Sequence, residues 1–298
     1  MRVGIAVGEE RLGVAVRDVE RGLDAERWAP TDAPAAAAVL LDELLREHGV
    51  ARDRIAGAGA ALSGDAQRRA RDAADLSAAL GLDVRGDSAL HAAALGEWSD
   101  GAARSAHLAV LVRLDDRIGV AIVSDGRIFS GAHGGAGELG HVLVDPAGAL
   151  CRCGNRGCLE TYVSAGALCD QLLRSHGPLA IEQVLALAAA GDRGCRRVLH
   201  DAGRHVGRAL AGLCNAIDPD VVVVDGTLAA AGDVLLDPVR TAIAQHTVPG
   251  AAMRVAVTTS ALGERAELLG ALALAASPPP PTAYAGATGA ATTRRREG

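Results

Sequence analysis

Apolar and polar positions alternate from the start of the chain. VGIAVGEERLGVAVRD (3–18) reads as two short strands of Val, Ile and Ala joined by a tight turn. The period then lengthens. In APAAAAVLLDELLREHG (33–49), Leu40, Leu41, Leu44 and Leu45 share one helical face and Gly49 stops the run. IAGAGAAL (55–62) predicts a strand, and an Ala- and Arg-rich helix follows to about Leu80. A short strand at Leu82–Arg85 then leads to a helix around HAAALGEW (91–98).

The second half opens with HLAVLVRL (107–114) and IGVAIVSDGRIF (118–129), wholly apolar or alternating strands with a turn at Ser124-Asp125-Gly126-Arg127. Beyond a cysteine cluster the chain reads as helical almost to Asp218. DPDVVVVDG (218–226) predicts a buried strand, AAGDVLLDPVRTAIAQH (230–246) a helix, MRVAVTT (253–259) a strand, and 261–276 a last helix. Strands alternating with helices predict an α/β fold with mixed sheets. SPPPPTAYAGATGAATTRRREG (277–298) has too little apolar mass to fold and is expected to be a disordered tail. Its Arg294–Arg296 read as a solvated end, with contact to an acidic partner as the other reading.

Totals narrow the class. At 298 residues and 49% hydrophobic, the chain can bury a sizeable core, in two lobes by length. No apolar run approaches the ~20 residues of a membrane span, and residues 1–20 lack the pattern of a signal peptide. Six cysteines are too sparse for a disulfide scaffold, so a reducing cytoplasm is expected. A net charge of −6 makes the molecule as a whole a poor match for nucleic acid. All 30 basic residues are arginine, which we read as compositional habit.

Chemistry concentrates in GELGHVLVDPAGALCRCGNRGCLE (137–160). Cys151, Cys153 and Cys158 lie on a Gly-rich loop that folds back readily, with His141 ten residues ahead of the first. Three thiolates and one imidazole make a closed tetrahedral set for Zn²⁺, structural in kind because no position stays open. The other readings are a redox pair or inert buried thiols, and Cys-x-Cys is poor disulfide geometry. Cys169, Cys195 and Cys214 stand without partners in helical stretches and read as core.

The stretch GAHGGAGELGHVLVDPAGALCRCGNRGCLE (131–160) resembles the signature of the ROK family of sugar kinases and sugar-responsive repressors. The resemblance extends more weakly over 2–276. It implies two actin-like (ribonuclease H-like) α/β lobes with a sugar-binding cleft between them: 1–104 completed by the helix 261–276, and 105–260. It also implies that His141, Cys151, Cys153 and Cys158 hold the zinc. Glu138, His141 and Glu160 would then contact sugar hydroxyls, Ser88 standing at the family's sugar-binding asparagine. Carboxylates accept from hydroxyls, and a zinc-bound histidine offers its second N–H as a donor. GAGAALSG (57–64) resembles the family's sugar loop, with Ser63 in place of proline.

The nucleotide side departs from the family. Its first phosphate loop, Asp-x-Gly-Gly-Thr in the superfamily, is here Ala6-Val7-Gly8-Glu9-Glu10. A carboxylate ~4 Å from a phosphate charge costs about 4 kcal/mol at an effective dielectric near 20. The second loop, Gly-Thr-Gly-Ile-Gly in the family, is Asp115-Asp116-Arg117-Ile118-Gly119, and Asp225-Gly226-Thr227 replaces a glycine pair near the adenosine. Ala89 stands at the catalytic aspartate. Asp87, the fallback base, lies two residues earlier, a displacement of about 6.5 Å along a strand.

These readings predict a non-catalytic, zinc-containing sugar sensor of the repressor type, binding a hexose or N-acetylhexosamine, with MgATP not expected. The alternatives are an ATP-dependent hexose kinase and a scaffold that binds neither ligand. The resemblance also implies a homodimer or tetramer. With its first strand at the very start, the chain is expected to make no direct contact to DNA.

Overall fold

The computed structural model describes residues 1–8, 10–249 and 255–276, and in it the chain builds two five-stranded mixed sheets of one strand order. β1 (Arg2–Val7), β2 (Leu12–Asp18) and β3 (Leu23–Ala29) form an antiparallel meander. β4 (Gly57–Leu62) and β5 (Val84–Ser88) add in parallel beyond β1, giving β3-β2-β1-β4-β5. β6 (Leu108–Leu114), β7 (Ile118–Ser124) and β8 (Arg127–Ile128) repeat the meander. β9 (Val221–Asp225) and β10 (Ala256–Thr259) repeat the parallel addition, giving β8-β7-β6-β9-β10.

The outer face of the first sheet is covered by α1 (Pro34–Glu47) and α2 (Ala66–Leu80). The leucine stripe of α1 meets Val3, Ile5 and Val14, the large apolar positions of alternating strands. The outer face of the second sheet is covered by α5 (Ala165–His176), α6 (Ile181–Ala189), α7 (Arg193–Ile217) and α8 (Asp233–His246), after the single-turn α4 (Glu160–Val163).

Two further helices, α3 (Ala89–Ser99) and α9 (Ala266–Leu274), fill the space between the sheets. α3 leaves β5 and lies against β4 of its own sheet as well as β6 and β7 of the second; α9 leaves β10 of the second and packs on β1 and β4 of the first. The facing strand positions are small: Ala6, Ala15 and Ala61 on one side, Ala109 and Ala121 on the other. The helices cross with backbones in contact. A Cβ at Gly270 would stand 1.7 Å from the Ala92 carbonyl oxygen, and one at Gly96 2.2 Å from that of Ala266. Beside this crossing the fully buried Glu97 accepts from the Ala102 and Leu262 amides and the Ser260 hydroxyl, and so ties the segment leading into α9 to α3.

The α/β class with mixed sheets is as expected, while several elements differ. β3 is a third strand before α1; as an edge strand it carries Asp24, Glu26 and Arg27, which blur its alternation. β5 lies later than expected, at Val84–Ser88, held by pairing with β4 although its residues are polar. The helical run after the cysteines breaks at Gly177-Pro178 and again at Gly191-Asp192. Met253 and Arg254 of the expected last strand, Glu9 of the first loop and the tail 277–298 lie outside the described residues. No helix among the described residues is long and apolar enough to cross a membrane.

Candidate metal centre and ligand cleft

A 3₁₀ turn at Leu139–His141 and two isolated bridges, Leu143 with Cys158 and Leu150 with Arg156, fold the loop so that its ends meet. Gly157 permits the fold. It has φ +65°, and a Cβ there would stand 1.6 Å from the Asp145 carbonyl oxygen. Tyr162 fastens the loop from below, donating its hydroxyl to Asp145 (2.7 Å) and stacking on His205.

The ligand atoms of His141, Cys151, Cys153 and Cys158 then lie within 4.8 Å of one another. His141 Nδ1 is 3.5 Å from the Cys151 sulfur, and the Cys153 and Cys158 sulfurs are 3.6 Å apart. A tetrahedral zinc with bonds of ~2.3 Å to sulfur and ~2.0 Å to nitrogen has edges of about 3.5–3.8 Å. Donor set and spacing therefore fit that ion. Burial and the neighbouring thiols push Cys158 up to about 12, a proton affinity that a cation among the sulfurs would reverse. A second grouping, His176, Asp192 and Cys195, is accounted for by helix capping, since Asp192 accepts from the Cys195 amide at the start of α7.

Two of the residues expected to contact sugar adjoin this Cys/His cluster. With Nδ1 turned to the sulfurs, His141 points Nε2 at Glu138, 3.8 Å from Oε2. Glu138 itself is 71% exposed and free to meet a ligand. Glu160 differs: it is buried, accepts from the Ile118 amide (3.3 Å), and is gripped on both oxygens by Arg152. Arg152 sits between two of the candidate metal ligands in Cys-Arg-Cys. The sequence reading missed it, although that position was the available signal.

The opposite wall arrives from α3. Ser88 caps this helix, its Oγ accepting from the His91 amide (3.1 Å). Ala89 and Leu90 follow, and Leu90 meets Gly119 of β7, next to the Ile118 amide that serves Glu160. Gly137, just before Glu138, accepts from the Val120 amide (2.8 Å) on the same strand. Glu160 and the segment 137–140 thus border the start of β7, and Leu90, two residues after Ser88, packs on the same strand. Asp87 is turned into the wall, where its Oδ1 accepts from His91 Nδ1 (2.8 Å) and the Ser88 amide (2.7 Å). Burial works to raise its pKa, but these hydrogen bonds win and hold the carboxyl below the ordinary carboxylate value.

On the expected nucleotide side, the Asp115 carboxylate accepts the Thr227 amide at 2.5 Å, so the loops after β6 and β9 close on each other. Asp116 is exposed. Arg113 of β6, facing the gap between the sheets, forks onto Asp225 (2.8 and 2.7 Å) and reaches Glu267 of α9 (2.7 Å). This network also escaped the sequence reading. At the first loop Gly8 donates to the Arg11 carbonyl (2.9 Å) in a tight turn, and Glu10 is exposed. Arg11 turns away to Glu264 (2.7 Å) and the face of Trp28.

Comparison with known proteins agrees with this architecture. The ROK family model matches residues 70–277. A glucokinase of Halalkalibacterium halodurans is 34% identical over 205 residues, 63% of this chain and 62% of its own length. The DNA-binding transcriptional dual regulator NagC of Escherichia coli is 34% identical over 191 residues, 61% of this chain and 47% of its own length. Each of these matches thus spans less than two thirds of the relative. Among solved structures, a ROK hexokinase from Thermus thermophilus superposes with a TM-score of 0.77 at 29% identity, covering 92% of this chain and 97% of its own. A ROK family transcriptional regulator, homologous to the E. coli MLC protein, gives 0.77 at 25% identity, with 96% and 78% covered. Family match, zinc-type loop and paired actin-like sheets coincide over most of the sequence: the chain belongs to the ROK family.

Proposed function

We propose that this chain is a zinc-stabilised, sugar-binding ROK protein that does not transfer phosphate and acts as a sugar-responsive regulator or its effector domain. In this reading residues 1–104 with 261–276 form one lobe and 105–260 the other. The ligand is a hexose or N-acetylhexosamine held by Ser88, Glu138, His141 and Glu160. Bound zinc contributes a fixed loop and no chemistry of its own, since four protein ligands close its coordination. His141 keeps Nε2 as a donor beside the Glu138 carboxylate, a pair suited to neighbouring hydroxyls.

One observation supports the non-catalytic part: Asp87, the fallback base two residues before Ala89, which is read as standing at the base position, is tied to His91 and Ser88. A general base works best with a pKa near the operating pH, and Asp87 is held on the wrong side of the ordinary value. The Asp115–Thr227 closure supports the absence of MgATP from the working protein. Because the chain spans less than half of NagC, that protein's DNA binding is not carried over. Self-association into a dimer or tetramer belongs to the same proposal.

Calorimetric titration of zinc-loaded protein with glucose, N-acetylglucosamine and MgATP tests this. Saturable heat with a sugar and none with millimolar MgATP is expected. Sugar phosphate formed above the protein-free control overturns the reading. The second reading, a hexose kinase, is favoured by the overlap with the Thermus hexokinase along 97% of that chain. It requires turnover that is lost in Asp87→Ala.

A further inference from the structure

We propose that the groove between α7 and α8 docks an extended segment of a partner protein in which acidic and apolar residues alternate. The groove has a volume of about 1170 Å³ and lies on the outer face of the second sheet's helices, away from the cleft. One wall is cationic: Arg193, Arg196, Arg197, His200, Arg204 and Arg208 line it from α7, and all six are exposed. The face of α7 that carries Leu199, Val206 and Leu210 is spent on the core. The other wall, from α8, is apolar at the half-buried Val234 and at the small edges of the largely buried Pro238 and Ala242, with Thr241 and Gln245 exposed beside them.

The acids nearby are largely committed. Asp233 and Asp237 both hold Arg240 (3.1 and 2.9 Å), and Asp201 holds Arg197 (2.8 Å). Arg193, Arg196 and Arg208 enter no ion pair among the described residues. The wall is therefore net positive on a chain whose overall charge is −6. Charge steering of an acidic partner to such a patch is expected.

Spacing selects the partner's conformation. Arg196, His200, Arg204 and Arg208 recur every four residues along a helix, a step of ~6 Å. An extended strand repeats its same-side residues every ~6.6 Å, and long arginine side chains absorb the difference. Acidic side chains at alternate positions then meet α7, while the residues between them turn toward Val234, Pro238 and Ala242. The lining spans Arg193 to Arg208, ~22 Å of helix, so the volume amounts to a cross-section of roughly 50 Å², room for one extended chain and not for a duplex. No Phe, Tyr or Trp lines the groove to stack bases, and its only aromatic ring among the described residues is that of His200. A second copy docked about a two-fold axis would set arginines against arginines. An inorganic polyanion would leave the apolar wall unused.

The test uses the full chain and a fluorescein-labelled nine-residue peptide alternating glutamate with valine, read by anisotropy at low and high salt. Saturable binding that weakens with salt is expected, with Arg204→Glu/Arg208→Glu at least tenfold weaker and the melting temperature unchanged. Should the reversal disturb folding, Arg196→Gln/Arg204→Gln/Arg208→Gln gives the same reading with less perturbation. Three results each overturn the proposal: no binding by the wild-type protein, equal binding by the variants, or inorganic polyphosphate displacing the peptide more strongly than unlabelled peptide does. A fall in sedimentation mass caused by the reversal would also overturn it, by assigning the groove to self-association.

Discussion

Arg152 and Glu160 form a two-pronged ion pair, Nε to Oε1 at 2.7 Å and Nη2 to Oε2 at 2.7 Å, in which the carboxylate is buried and the guanidinium half exposed. With the Ile118 amide also donating, three of about four acceptor positions on Glu160 are filled before any ligand arrives. On the proposed reading, a sugar hydroxyl would compete with Arg152. Arg152→Ala is expected to tighten hexose binding about three- to tenfold by calorimetry. The same change lowers the melting temperature by about 2–6 °C, because a buried carboxylate loses its counter-charge. Weaker binding would mean that Arg152 itself touches the sugar.

Metal analysis of the purified chain should find about one zinc per chain, as a closed four-ligand site requires. Cys158→Ala, which removes a buried ligand, is expected to abolish it. Sugar affinity should fall with the zinc, since His141 then loses the bond that aims Nε2 at Glu138.

The Arg113 network bridges the second sheet and α9. Arg113→Ala leaves Asp225 buried without its partner and is expected to cost about 3–5 kcal/mol in urea unfolding. Asp225→Asn in the same chain should restore part of that loss, because the orphaned charge is gone.

Gly270→Ala adds one methyl at a point already 1.7 Å from the Ala92 carbonyl oxygen. The helices must separate, and a loss of about 3 kcal/mol or more is expected. By contrast, Gly212→Ala on the exposed side of α7 meets open space and should be neutral or slightly stabilising.

Asp192 is held at about 2 by the Cys195 amide, with further help from His176. Its folded value lies below the unfolded one, so its contribution is complete above the unfolded pKa and is lost as pH falls through the folded value. The gap in urea midpoint between wild type and Asp192→Asn should therefore be constant above pH ~5 and close between about pH 4 and 2.

What the sequence revealed follows from how local each signal is. The leucine stripe of α1, the valine run of β9 and the cysteine loop announce themselves within a few residues, because side chain and partner share one element or one turn. β3 and β5 are polar strands that exist through pairing, and pairing is invisible to periodicity. Arg113 was read only as part of a strand, since Asp225 and Glu267 lie 112 and 154 residues away. The fate of Asp87 was hidden for a different reason: its neighbour His91 is close in sequence, but only the start of a helix at Ala89 brings the two into contact.

The exchange of α3 and α9 has a consequence for folding. Each half of the chain contributes a helix that covers the other half's sheet, so neither half has a finished core when cut from its complement. A fragment ending after β5 would expose the alanine face of the first sheet, and one starting at β6 would lack the helix over β7. Expressed apart, the halves are poor folders; mixed, they should reconstitute. Denaturation of the intact chain should then be one cooperative event, seen as coincident urea transitions by different probes.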